Sequence, residues 1–295
     1  MPPTRPLLLA VPNVSEGGDG AKIAAMADAF APAHVLDVHS DADHGRSVFS
    51  LAARQGELAS ALLGGARAAI AQVDLRAHVG LHPHVGALDV APIVYRDPAE
   101  RGPACAEALT AAALIGARLE LPVFLYGELA TAPERRERAD LRRGGPAGLA
   151  ARMASGELRP DYGPARAHPS AGAVLVSARP PLIAFNLELA AGDLELARRI
   201  AAGLREAGGG LAGVRAIGLW LEHRRRAQVS VNVHDHRRTP LARVVEAVRA
   251  EAEVVEAELV GLAPRAAFDG FPPDLPLRGF DPERHLIENA LRSTT

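Results

Sequence analysis

The sequence predicts an α/β (α+β) protein built from two ferredoxin-like β-α-β-β-α-β subdomains, and three observations predict it. Short apolar runs of strand length alternate with longer amphipathic stretches along most of the chain. Residues 182–260 read strand, helix, strand, strand, helix, strand, which is the split βαβ order. The first half opens with the same order before adding further elements. At 295 residues the chain is long enough for two cores, and the expected subdomains are 1–179 and 180–295, with Arg179-Pro180-Pro181 as the break.

Each element has a local reason. Leu7 to Val11 is a short buried strand ended by Pro12-Asn13, and Ser15-Glu16-Gly17-Gly18 leads into a helix over Ala21 to Phe30, a strand–turn–helix arrangement able to hold an anion. Val35 to Val38 and Val48 to Ala52 form a hairpin with a long charged connection, His39 to Arg46. Glu57 to Ile70 is an amphipathic helix, Leu88 to Tyr95 a strand, Ala104 to Leu119 an Ala-rich helix and Val123 to Tyr126 a strand. Thr131 to Glu157 is charged and helical in patches, broken at Gly144-Gly145-Pro146. Pro-rich residues 159–170 form a rigid irregular segment of the kind that is functional or a linker, and Ala173 to Val176 is a strand.

The second half is cleaner. Leu182 to Leu187 is a strand, and Asp193 caps a helix running to Glu206. Val214 to Leu221 and Ala227 to Val233 are paired strands joined by a charged turn. Pro240 opens a helix to Glu251, and Val254 to Val260 is the last strand. The Pro-rich tail after Gly261 is expected to pack over the surface. Gly208-Gly-Gly-Leu-Ala-Gly213 matches the dinucleotide fingerprint by letter, but it follows a helix and precedes a strand, so it is a turn.

Composition removes several function classes. A net charge of −2 gives no basic excess to neutralise phosphates, so no nucleic-acid partner is expected. No apolar run reaches the length of a membrane span, and no leader pattern is present, so no membrane is expected either. One cysteine, Cys105, permits neither an internal disulfide nor a cysteine metal cluster, and a cytoplasmic location follows as the expectation.

The chemistry concentrates in two stretches. His78-Val-Gly-Leu-His82-Pro-His84 places three histidines ahead of the strand at Leu88, and Pro83 with Gly80 and Gly86 makes it a structured loop. Read from the residues alone, it is either a solvated His-rich loop or a catalytic one. The i, i+4 spacing of His78 and His82 would suit zinc on a helix, but Gly80 and Pro83 deny the helix, so no metal is expected. The second stretch crowds Asp37, His39, Asp41, Asp43, His44 and Arg46 into one hairpin, with mixed signs that resemble a polar substrate pocket.

Six stretches give the chain a resemblance. They are Val11-Pro-Asn-Val-Ser-Glu-Gly17, His44-Gly-Arg-Ser-Val48, His82-Pro-His-Val-Gly-Ala-Leu-Asp-Val90, Pro160-Asp-Tyr-Gly-Pro164, Leu182-Ile-Ala-Phe-Asn186 and Ala227-Gln-Val-Ser230. In this order they resemble the formiminotransferase (glutamate formimidoyltransferase) family, in its single-function form without a cyclodeaminase half. The chain departs from the family pattern at Gly45, where Asn is frequent.

The resemblance implies a ligand groove between the subdomains, a homodimer, tetrahydrofolate as co-substrate and N-formimino-L-glutamate as donor. It implies that His82 is catalytic and that Pro160, Asp161, Tyr162, Gly163, Pro164, Ala165, Arg166, Ala167, His168 and Pro169 form the folate-binding stretch. Asp37 or Asp41 would steady a cationic formamidine, Arg46 would clamp a glutamate carboxylate, and Tyr162 would stack on the folate ring system. His44, Asn13, Ser15 and Glu16 complete the expected substrate contacts. Three alternatives stand beside this reading: a formyl-glutamate donor, a folate-binding homologue without transfer activity, and a metal-dependent hydrolase using the histidine cluster.

Overall fold

A computed structural model describes residues 5–294, and it resolves into two compact units, one running to Pro180 and the other beginning at Pro181.

In the first unit the N-terminal strand is split. β1 (Leu7–Ala10) and β2 (Asn13–Val14) both lie between β4 (Arg46–Arg54) and β5 (Leu88–Val94). Between them stands Pro12, which has no N–H to give a ladder, although its carbonyl still accepts from Phe49 N at 3.0 Å. α1 (Gly20–Asp28) follows, then β3 (His34–Asp41), which pairs with β4, and then α2 (Leu58–Gln72). These elements give the antiparallel order β3-β4-β1/β2-β5, the arrangement of a ferredoxin-like sheet. α3 (Arg101–Leu119), β6 (Val123–Leu125), α4 (Arg138–Leu141), α5 (Gly145–Ala154) and β7 (Val174–Arg179) extend it, with β7 parallel to both β5 and β6.

This extension explains why β5 is buried at every position. Leu88, Ala91 and Ile93 face the core under α1, α2 and α3, while Val90 joins Phe124, Tyr126, Leu149, Met153 and Leu175 in a second core. A strand covered on both faces shows a continuous apolar run rather than alternation.

The hairpin differs from the expectation. Its strands run to Asp41 and from Arg46, so the connection shrinks to Ala42–Gly45. Polar residues carry β3 to its end because it is an edge strand whose far side meets solvent, as the exposure of Val35 and Val38 shows.

Helix α2 has an unusual start. Glu57 at its N-cap position makes no side-chain cap. Instead Glu107, buried on α3, accepts from Gly56 N and Ala59 N, each at 2.7 Å. One carboxylate thus satisfies two orphan amides at the positive end of another helix. Glu107→Ala is expected to lower unfolding free energy by about 2 kcal/mol, because the buried Ala59 N–H and the part-buried Gly56 N–H lose a charged acceptor; urea denaturation measures it, and a loss under ~0.5 kcal/mol would show that water replaces the cap.

The second unit contains β8 (Ile183–Leu189), α6 (Leu194–Leu204), β9 (Val214–Leu221), β10 (Arg226–Val233), α7 (Leu241–Arg249) and β11 (Val254–Val260), in the antiparallel order β11-β8-β10-β9. α6 buries Ala197, Ile200, Ala201 and Leu204, and α7 buries Leu241, Val244, Val245 and Val248, the i, i+3, i+4, i+7 stripe of an amphipathic helix. Asp193 caps α6 by accepting from Leu196 N. The tail does more than cover the surface: Ala263, Ala267 and Leu275 enter the core, and α8 (Pro282–His285) and α9 (Ile287–Ala290) are tied to Ala263 by backbone hydrogen bonds at His285 and Ile287. Trp220 lies on β9, partly buried, with its indole N–H donating to Glu222 at 2.7 Å.

Candidate active site

The site forms where the 42–45 turn meets the histidine loop. Gly45 has a φ of +62°, and a Cβ there would stand 2.8 Å from both the His78 ring and the Val79 carbonyl. Only glycine allows that approach. It brings the turn carbonyls into range: Leu81 N donates to Asp43 O at 3.0 Å, and His82 N donates to His44 O at 3.3 Å. The other end of the loop is tied to β2, where Ser15 N donates to Ala87 O and Ser15 Oγ donates to Gly86 O at 2.7 Å.

These constraints set His82 against Arg46, whose Nη1 meets the imidazole Nε2. A guanidinium has donors and no acceptor, so Nε2 receives the bond and the neutral ring carries its proton on Nδ1. Nδ1 is buried and has no hydrogen-bond partner. Burial first, then the charges of Arg46 and Arg142, push the His82 pKa well below the ordinary imidazole value. His82 is therefore a neutral imidazole at physiological pH.

Arg46 is itself shifted. Burial and the nearby Arg142 lower it to about 9, partly offset by Asp89. Asp89, 1% exposed on β5, binds Arg142 through Oδ2 and accepts from Val85 N through Oδ1 at 2.8 Å. One buried carboxylate thus links Arg142, the residue that ends α4, to the loop that carries His82.

Asp41 and His44 form a second pair. His44 N donates to Asp41 Oδ1 at 2.8 Å, and His44 Nδ1 lies 3.5 Å from Oδ2. Burial alone would raise the Asp41 carboxyl, but the hydrogen bonds from His44 hold it below the usual carboxylate range. Asp37 is buried further along β3, opposite Ser50, and shares its face with Asp41.

Several expected contacts are otherwise engaged. The helix N-terminus expected to receive an anion is filled by the chain's own carboxylates: Glu16 accepts from Gly18 N and Asp19 N, and Asp19 accepts from Ala21 N and Lys22 N. Asn13 donates to Val11 O at 2.9 Å. A cavity of about 410 Å³ does open there, lined by Ser15, Glu16, Lys22, Gly45, Asp74 and His78, but His82 is not in its wall.

In the 160–169 segment, the Asp161 carboxylate accepts from Leu125 N, Thr131 Oγ1 and Arg135 Nη1, bracing the end of β6. Tyr162, partly buried, packs on the core beside Gly116 of α3. His168 Nδ1 accepts from Ala171 N at 3.0 Å within its own turn. Arg166 is exposed. The structure thus gathers Asp41, His44, Arg46 and His82.

Sequence reading missed Asp89, Arg138, Arg142 and Arg179. Arg142 and Arg138 sit in the charged 131–157 stretch, where nothing marks them off from solvated helix residues. The two motifs from the second unit, by contrast, fall on one polar sheet face: Asn186 and Gln228 are buried, Asn186 donates to Glu258 at 3.1 Å, and Gln228 leaves both amide atoms without a partner.

Comparison with known proteins decides the family. The model of the formiminotransferase domain's N-terminal subdomain matches residues 7–179, and that of the formiminotransferase domain matches residues 184–269. The chain belongs to the formiminotransferase family. It is 36% identical to the glutamate formimidoyltransferase of Streptococcus pyogenes serotype M1 over 292 residues, covering 95% of this chain and 97% of that one. It is 34% identical to the glutamate formimidoyltransferase of Thermoplasma acidophilum, with 97% of each covered. The formimidoyltransferase-cyclodeaminase of Rattus norvegicus is 37% identical over 279 residues, which span 88% of this formiminotransferase chain and 51% of the rat protein. Among the described residues, no helix is long and apolar enough to cross a membrane, and no three His, Cys, Asp or Glu side chains gather as a metal set.

Proposed function

We propose that this chain transfers the formimino group from N-formimino-L-glutamate to N5 of tetrahydrofolate, with His82 as the proton-transfer residue. The observation that carries the reading is the neutral His82 held against Arg46, in a chain whose full-length relatives are named glutamate formimidoyltransferases.

The reaction joins N5 to the formimino carbon, breaks the bond from that carbon to the glutamate nitrogen, and moves one proton from the first nitrogen to the second. The chain has to supply orientation and a group that accepts and returns that proton. A neutral imidazole does both, and such general acid–base help contributes about 10²–10⁴-fold. With Arg46 donating to it, the His82 Nε2 lone pair is masked. A donor carboxylate is a stronger acceptor for that guanidinium than an imidazole nitrogen. Binding of the donor draws Arg46 away, and Nε2 becomes available beside the reacting nitrogen. Asp41, kept anionic by His44, offsets the positive charge of the formamidine.

A single cysteine and a net charge of −2 support a cytoplasmic enzyme with small-molecule substrates. The homodimer reading rests on the family resemblance, as does the assignment of residues 160–169 to folate.

The test is transfer by the purified chain from N-formimino-L-glutamate to tetrahydrofolate, followed by product absorbance across pH. Turnover is expected. Because the His82 pKa is depressed, the acid limb of kcat/KM, which reports the free enzyme, is expected well below the ordinary imidazole value of 6.5. Absence of turnover with folate bound overturns the reaction, and an acid limb centred on the ordinary imidazole value overturns the neutral, buried state of His82.

A further inference from the structure

Four arginines from three separate stretches of the first unit share one electrostatic neighbourhood: Arg46 on β4, Arg138 on α4, Arg142 at the residue that ends α4, and Arg179 at the end of β7. Their charges are mutually felt. Arg142 and Arg138 disfavour the charge on Arg46, Arg142 disfavours that on Arg138, and Arg138 disfavours that on Arg179, in each case after burial itself. Arg46, Arg142 and Arg138 all act on His82 as well, and Arg138 acts on Arg179.

These groups are poorly supplied with acceptors. Arg46 meets the His82 ring, Arg142 meets Asp89, and Arg179 Nη1 donates to Pro180 O at 3.0 Å. Arg138 lies over the Tyr126 ring, 5.9 Å from its centre, and no described residue accepts a hydrogen bond from its guanidinium. The Nε atoms of Arg142 and Arg179 are buried without partners, and the Tyr126 hydroxyl lies against Arg179. All four side chains are part-buried, each guanidinium offers five donors, and cationic donors drawn out of water without acceptors are costly. Asp89 is the carboxylate in contact, Asp41 is engaged by His44, and Glu137 lies at the exposed edge beside Arg138. Among the described residues, the cluster presents more guanidinium donors than the carboxylate oxygens hydrogen-bonded to it.

We propose that this cluster is a two-part carboxylate pocket for the glutamate skeleton of the donor, with Arg46 and Arg142 holding the α-carboxylate and Arg138 and Arg179 the γ-carboxylate. This rests on the reaction proposed above. The leaving nitrogen is glutamate's α-nitrogen, bonded to the α-carbon, so the α-carboxylate stays beside His82 while the γ-carboxylate lies further out. Arg138 and Arg179 are thereby specificity-determining residues that select a dicarboxylate over its γ-amide.

The same chemistry also occurs in the glutamate tail of a folate, and the experiment separates the two. Calorimetric titration of the whole chain with L-glutamate and with L-glutamine needs no turnover. Wild type is expected to bind L-glutamate at least about ten-fold more tightly, the scale of one charge-assisted hydrogen bond. Arg138→Gln and Arg179→Gln are each expected to weaken L-glutamate about ten-fold and leave L-glutamine nearly unchanged, so the preference collapses. In steady state, the same variants raise the KM for N-formimino-L-glutamate and not that for tetrahydrofolate. Arg138→Lys, which keeps the charge without the fork, is expected to fall between, and serves if the Gln variant does not fold.

If the variants instead raise the KM for tetrahydrofolate and keep the glutamate preference, the pocket holds the folate tail and the proposal is overturned. If neither quantity moves, the cluster is structural and the proposal is overturned as well. Loss of preference in a chain that shows no transfer would sustain the pocket and sink the reaction.

Discussion

His82→Ala is expected to reduce kcat about 10²–10⁴-fold, the range of a lost general acid–base group, while the fold is retained. The second half of that statement follows from the contacts. His82 is held through its backbone N–H, which alanine keeps, and its ring meets Arg46 on one nitrogen and nothing on the other. Removing the ring deletes no structural partner but leaves Arg46 without its acceptor. Near wild-type turnover in a folded His82→Ala protein would remove His82 from the chemistry. A second readout separates proton transfer from positioning: if the ring itself shuttles the proton, added imidazole restores part of the rate, and a purely steric role would not respond to it.

The largest effect on stability is expected at Asp89. Its carboxylate is fully buried and serves Arg142 and the Val85 amide at once. Asp89→Ala leaves a buried guanidinium uncompensated, a change that costs about 3–5 kcal/mol, with the unsatisfied Val85 N–H adding to it. Asp89→Asn keeps an acceptor for Val85 and is expected to cost less. Removing both charges, as in Asp89→Ala with Arg142→Met, is expected to recover much of the loss, since the penalty belongs to the unpaired charge rather than to the missing contact. Denaturant unfolding of the three proteins checks this. A loss below ~1 kcal/mol in Asp89→Ala would mean that water reaches Arg142.

The second unit is legible from sequence because its helices keep a clean stripe, as in Leu241, Val244, Val245 and Val248, and its strands are short apolar runs between turn residues. The hairpin in the first unit is less so. His39 and Asp41 sit on strand β3 and still look like a loop, because an edge strand needs no apolar alternation on its open side. Within the candidate site, His82 and Arg46 stand out by motif, but Asp89 hides in an apolar run and Glu107 in an Ala-rich helix. Each is a lone acid whose meaning depends on an arginine or a helix end distant in the chain: Glu107 serves α2 from 48 positions away, and Asp89 reaches Arg142 across 53. Local pattern carries no trace of such partners, and the four converging arginines are hidden for the same reason.

The placement of aromatic residues has an optical consequence. All three tyrosines, Tyr95, Tyr126 and Tyr162, lie in the first unit, and the only tryptophan, Trp220, lies on β9 of the second. Indole emission selected at red-edge excitation therefore reports on the half that lacks His82, and phenol absorbance reports on the half that contains it. Two wavelengths read in one cuvette follow the two halves separately, and a tryptophan melting curve alone is blind to a weakened Asp89 unless the halves unfold together.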